Sequence, residues 1–126
     1  MKQDILCGFI QSLYPTYKVK AEYSTIDTDK KVIVIQEQTG PKIVFYGNVD
    51  PLFNYFEIVI YGLSIKEQKD IALEINSLIG ANIEYNDYQI MFLQMTNAQT
   101  IEYLDIRRVG YQMIFKTIIS KIKEEN

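Results

Sequence analysis

Histidine and tryptophan are absent from this chain of 126 residues, and cysteine occurs once, at Cys7. Those absences remove whole classes of chemistry. Without His, neither a Ser-His-Asp triad nor a Cys–His dyad can be assembled within the chain, and a His/Cys zinc site lacks its ligands. A single Cys cannot close an intramolecular disulfide, which fits a reducing compartment. The six glycines are dispersed, at positions 8, 40, 47, 62, 80 and 110, so neither a dinucleotide fingerprint nor a phosphate-binding P-loop is present. No apolar run approaches the roughly 18 residues that span a bilayer. The apolar run at residues 5–10 is too short, and too close to Asp4, for the core of an export leader. The chain is therefore expected to be soluble and not exported behind a cleaved leader.

Charge of one sign is also missing. The net charge is −3, from 13 basic and 16 acidic side chains spread evenly along the chain. The only adjacent basic pairs, Lys30-Lys31 and Arg107-Arg108, are too short to form a stripe that tracks phosphates, so a general polyanion binder does not fit. Hydrophobic residues make up 48% and charged residues 23%, a globular composition that excludes a disordered or collagen-like chain. Area scaling gives a folded surface of roughly 6,900 Å² against roughly 21,000 Å² unfolded, enough burial for one domain without staples.

Periodicity places the elements. Ile5, Leu6, Phe9, Ile10 and Leu13 share one helical face over residues 3–13, and Pro15 ends that helix. Tyr17, Val19, Ala21 and Tyr23 alternate with charged residues, a strand over 17–23 that is wet on one side. The β-branched run Val32-Ile33-Val34-Ile35 marks a second strand over 31–36, expected to pair with the first as a hairpin. Residues 39–54, broken by Gly40-Pro41, Gly47 and Pro51, read as an irregular excursion. A third strand covers 55–61. Ser64-Ile65-Lys66-Glu67 has the capping-box pattern, Ile71, Ile75, Leu78 and Ile79 follow as an apolar stripe, and Gly80 supplies a stop, so a helix is expected over 65–79. Two more strands, 88–95 and about 108–119, flank a polar connection at 96–105, and the tail from Lys121 should fray. The order αβββαββ predicts an α+β domain, with an antiparallel or mixed sheet and helices packed on one face.

Constellations that could carry chemistry resolve into simpler roles. Asp27-Thr28-Asp29 has the spacing of two calcium ligands but lacks the later Gly and bidentate Glu, and reads as turn sequence. Glu84 and Asp87 fall in an Asn-rich connection and read as solvated loop residues. Cys7 sits among Ile and Leu on the first helix, where a thiol behaves as a small hydrophobe. No catalytic residue, metal ligand or cofactor site is assigned. Ten Tyr and six Phe fall mostly on strand periods and read as packing, except where Phe53, Tyr55 and Phe56 border the excursion. Exposed aromatics beside a loop are what a protein interface uses as anchors.

Taken together, several segments resemble the phage tail terminator and minor capsid proteins of long-tailed phages and prophages. The likeness covers roughly residues 2–119. It rests on the short N-terminal amphipathic helix, the strand and Gly-Pro step of residues 32–41, the strand, capping box and helix of residues 56–79, and the late strand Arg107-Arg-Val-Gly-Tyr-Gln-Met-Ile-Phe115. The resemblance implies a non-enzymatic virion protein, made in the host cytoplasm and placed at the head–tail junction. Such proteins are α+β subunits of a hexameric ring that caps the tail tube, stops its polymerisation and offers a surface to the head-completion protein. DNA passes through the lumen, and a modest negative charge suits that passage. No residue-specific site comes with the resemblance. The excursion at 39–54 and the connection at 96–105 are the candidate contacts with the tube or a neighbour, and Phe53, Tyr55, Tyr103 and Arg107 are taken as candidate interface residues. The alternatives are another neck component, such as a head–tail stopper, and a small α+β ligand-binding domain with a pocket lined by Tyr and Met.

Overall fold

A computed structural model describes residues 2–21, 30–38, 53–103 and 108–122. It is a mixed α+β fold of two helices and a six-stranded sheet. In chain order the elements are α1 (Lys2–Leu13), β1 (Lys18–Lys20), β2 (Val32–Gln38), β3 (Asn54–Tyr61), α2 (Ile65–Asn76), β4 (Ile83–Tyr85), β5 (Tyr88–Tyr103) and β6 (Arg108–Lys121). Across the sheet the order is β1-β2-β3-β6-β5-β4.

Two corrections concern strand pairing. β1 and β2 run parallel, with Lys18 opposite Val32 and Lys20 opposite Val34, rather than as the expected hairpin. The polar residues between them read as a turn, yet the connection is long enough to carry the chain back to the starting end before β2 begins. The 96–105 segment is likewise no mere connection, since residues 96–103 continue β5, paired with β6 as far as Tyr103 opposite Arg108. Register shifts at Phe92/Gln94 and Thr96/Gln99 absorb the break in alternation that made this stretch look irregular. Asn97 takes a left-handed φ of 53° at the second shift.

A further strand, β4, went unnoticed because three residues are too few for a period. Its turn carries the signal: Asn86 (φ 47°) and Asp87 (φ 65°) form the two-residue, positive-φ link that suits a tight hairpin, joining Tyr85 to Tyr88. Helix α2 stops at Asn76, short of residue 79. Ser77 caps it, and Ile79 leaves the helix to form a bridge with Phe92.

The larger core cluster joins Leu6, Phe9 and Ile10 of α1 and Ile71, Ala72 and Ile75 of α2 to alternate strand residues, among them Ile33, Ile35, Phe56, Ile58, Ile60, Phe92, Met113 and Phe115. Each such side chain contributes roughly 1.5–3 kcal/mol by leaving water. Leu13 departs from the expected stripe and is 44% exposed. Gln68, absent from that stripe, is buried and donates through Nε2 to the Val109 carbonyl at 3.1 Å, tying α2 to β6. The opposite side chains of β2 and β3 bury Val32, Val34, Val59 and Tyr61 as a second cluster with Ile101. Gly110 makes room for it: a Cβ there would stand 2.8 Å from the Tyr61 ring and 3.0 Å from Val59.

Candidate functional site

The sheet has a closed edge and an open one. At β1, two of the backbone groups that face away from β2 are met by one side chain. Gln11 of α1 donates through Nε2 to the Tyr17 carbonyl at 2.7 Å and accepts at Oε1 from the Val19 amide at 3.2 Å. An amide placed this way substitutes for a neighbouring strand. It leaves little of a three-residue edge for another chain to pair with.

At the other end, β4 covers only Tyr88, Gln89 and Ile90 of β5. Gly80 then donates its amide to the Phe92 carbonyl at 3.0 Å. Beyond that point β5 has β6 on its inner side and, among the described residues, no backbone partner on its outer side. Residues 96–100 are all exposed. Over its 16 residues β5 contains no Lys, Arg or Pro, the residues that commonly protect an edge, and Glu102 is its one charge.

Beside this edge lies a groove of about 210 Å³ between α2 and the β5–β6 pair, lined by Lys69, Ala72, Leu73, Asn76, Met95 and Tyr111. Leu73 is 66% exposed. Across the sheet on the other side, an amide chain links three strands: Gln99 donates to Gln112 at 2.8 Å, and Gln112 donates to Glu57 at 2.6 Å.

A wider cleft of about 440 Å³ separates the α1–β1 turn from α2, with Tyr14, Tyr17, Lys31, Glu67, Asp70 and Glu74 on its walls. Its polar groups are spent on one another. Tyr14 donates its hydroxyl to Glu74 at 2.6 Å, and Tyr17 donates to Glu67 at 2.6 Å. Glu67 also accepts the Leu63 amide at 3.2 Å, while its own amide donates to the Ser64 hydroxyl at 3.1 Å, so the capping box reaches one residue further back than its simplest form. Lys31 stands 3.6 Å from Glu67 and 5.4 Å from the Tyr17 ring centre. Burial and then the carboxylate hydrogen bonds push both tyrosines well above their ordinary range. The Tyr17 hydrogen bond holds Glu67 below the usual carboxylate range. Neither tyrosine is therefore poised to exchange a proton near neutral pH. The cluster latches α1 and β1 to α2.

Burial first and the nearby Asp4 second push the Cys7 thiol up to about 11, which disfavours the thiolate that a nucleophile requires. Among the described residues, no three His, Cys, Asp or Glu side chains come together as metal ligands, and no helix is long and apolar enough to cross a membrane. Glu84 is exposed on β4, and Asp87 occupies the β4–β5 turn. The Asp27-Thr28-Asp29 triplet, residues 39–52 of the excursion and the end of the tail from residue 123 lie outside the described residues.

The four candidate interface residues do not form one cluster. Phe53 is half-buried under Lys116, whose Nζ is 3.9 Å from the ring centre, and Tyr55 sits opposite Lys116 on β3. Tyr103 ends β5 opposite Arg108, eight residues along β6 from Lys116, which is roughly 27 Å at the usual strand rise. Arg107 lies outside the described residues. Of the outer edge, residues 93–95 fall in the expected strand and residues 96–103 in the expected connection, although the lack of Lys, Arg and Pro over the whole edge is plain in the sequence. Comparison with protein-family models and with curated proteins returns no match.

Proposed function

We propose that this chain is a phage tail terminator-like subunit, a structural virion protein with both helices packed on one face of its sheet. In this reading, copies close as a hexameric ring on the last ring of the tail tube, end its polymerisation and present a surface for head joining. The open β5 edge is the observation that carries the reading. A ring subunit must bind a neighbour firmly without chemistry, and strand addition across a subunit boundary does so through backbone hydrogen bonds. The tyrosine–carboxylate cleft supports the non-enzymatic side, because Tyr14 and Tyr17 are pushed up and Glu67 is held down, each away from neutral pH.

Electron microscopy of particles from a phage or prophage that encodes the chain, with its gene deleted, tests the proposal. Overlong, headless tails of variable length are expected. Normal tails joined to filled heads would overturn it, and tails of normal length without heads would move the chain to a stopper role in the neck.

The groove beside β5 favours a second reading, a ligand-binding domain, since Met95 and Tyr111 line it. Its volume, about 210 Å³, falls below the roughly 300–1,000 Å³ of ordinary small-molecule pockets, which ranks this reading second. Saturable thermal stabilisation by a small molecule would reverse the ranking.

A further inference from the structure

We infer that the free chain pairs with a second copy of itself across a twofold axis, β5 against β5 and antiparallel, along the bare edge of residues 93–103. This goes beyond the tail-cap reading and stands without it.

The edge asks for a strand. Its outer backbone groups lack protein partners among the described residues, residues 96–100 are exposed, and no Lys, Arg or Pro interrupts it, although the shifts at Phe92/Gln94 and Thr96/Gln99 bend it locally. The other end of the sheet cannot supply that strand, because Gln11 already occupies the outer groups of β1. β4 is three residues long. Among the described residues, the one other edge of matching length is the same edge on another molecule, which makes the contact isologous.

Charge supports the pairing. Met95 is in register with Phe115 and Glu102 with Val109, and those β6 positions are an even number of residues apart, so Met95 and Glu102 project from the same side. An antiparallel pairing with its axis near Ala98 lays Glu102 of each copy beside Met95 of the other. There Met95 and Lys69 line the groove with Leu73 and Tyr111. Lys69 and Glu102 are both exposed, and neither has an ion-pair partner among the described residues. The twofold sets Glu102 of each copy at the groove that the other's Lys69 lines, twice. At the axis itself Asn97, Ala98, Gln99 and Thr100 are uncharged, so no like charges meet. The bulge at Asn97 lies beside the axis, and residues 99–103 of each copy then run along the start of the other's edge.

A twofold pair has two equivalent ends, whereas a ring on a tube has one end towards the tube and another towards the head. The pair is accordingly the state of the free chain, distinct from the ring.

Sedimentation velocity of the purified protein over a micromolar concentration series tests the inference. A dimer is expected for the native chain. Ala98→Lys, which sets two ammonium groups at the axis, should weaken it by about tenfold or more. Glu102→Lys and Lys69→Glu should each weaken the dimer, and the double variant should restore it. Circular dichroism checks that each variant folds; should Ala98→Lys fail to fold, the charge exchange alone decides. A native chain that stays monomeric, a dimer indifferent to these substitutions, or rings formed with no dimer would overturn the inference. Tail length in the deletion experiment does not depend on the free-solution dimer, so the two proposals fail separately.

Discussion

The two ends of the sheet differ in how they finish. β1 is three residues long, and a glutamine from α1 meets two of its outward backbone groups. The far part of β5 is long, exposed over residues 96–100 and, among the described residues, uncapped. An unprotected edge is a hazard for a monomer, because any extended chain can pair with it. In the proposed reading the open edge is the one that is used, and its backbone groups carry assembly.

The largest expected effect breaks the comparison by removing what both ends share. Phe115 is buried against Phe92, with ring centres 5.2 Å apart, in the core beneath the whole sheet. Phe115→Ala should cost about 3–5 kcal/mol in urea unfolding and loosen both edges together. Next, Gly110→Val strikes the root of the open end alone. Its side chain would overlap Tyr61 and Val59, and a loss of about 1–3 kcal/mol is expected, with faster amide exchange in β6 near residue 110 than in β1. Gln11→Ala sharpens the contrast from the other side. It frees the Tyr17 carbonyl and the Val19 amide, at about 1–2 kcal/mol, and should turn the closed end into a second associating edge, read as rapid exchange at Val19 and as larger oligomers.

A pH series probes the latch at the closed end. The folded pKa of Glu67 is depressed, so its contribution is present above the ordinary carboxylate value, near 4.3, and is lost as pH falls through the lower folded value. The folded pKa of Tyr17 is raised, so its contribution is present below about 10 and is lost as pH rises beyond that into the higher folded range. Amide exchange in β1 should therefore quicken at both extremes before that in β6. The smallest effect on stability belongs to the open edge: Ala98→Lys, at an exposed position, should shift unfolding by no more than about 0.5 kcal/mol while altering association.

Much of this fold is legible in the sequence where periods are long. The stripes of α1 and α2, the β-branched run of β2 and the two-sided burial of β3 all appear as apolar spacing. What escaped depends on geometry that spacing does not encode. The parallel pairing of β1 with β2 depends on how the connecting segment returns, and the continuation of β5 past Thr96 hides behind two bulges that shift its alternation. The Gln11 cap is a contact across eight residues between a helix and an edge, invisible to any period. Phe53 and Tyr55 stand out in the sequence as aromatics beside an excursion, yet the structure places them roughly 27 Å along β6 from Tyr103. The open edge, by contrast, is made of Thr, Asn, Ala and Gln, which read as a polar connection suited to neighbour contacts and gave no sign of a strand.

The most direct test of the open edge as an assembly surface is electron microscopy of tails made when the native gene is replaced by one carrying Ala98→Lys. With the variant folded and present, overlong, headless tails are expected, as for outright deletion. Tails of normal length carrying filled heads would contradict the account.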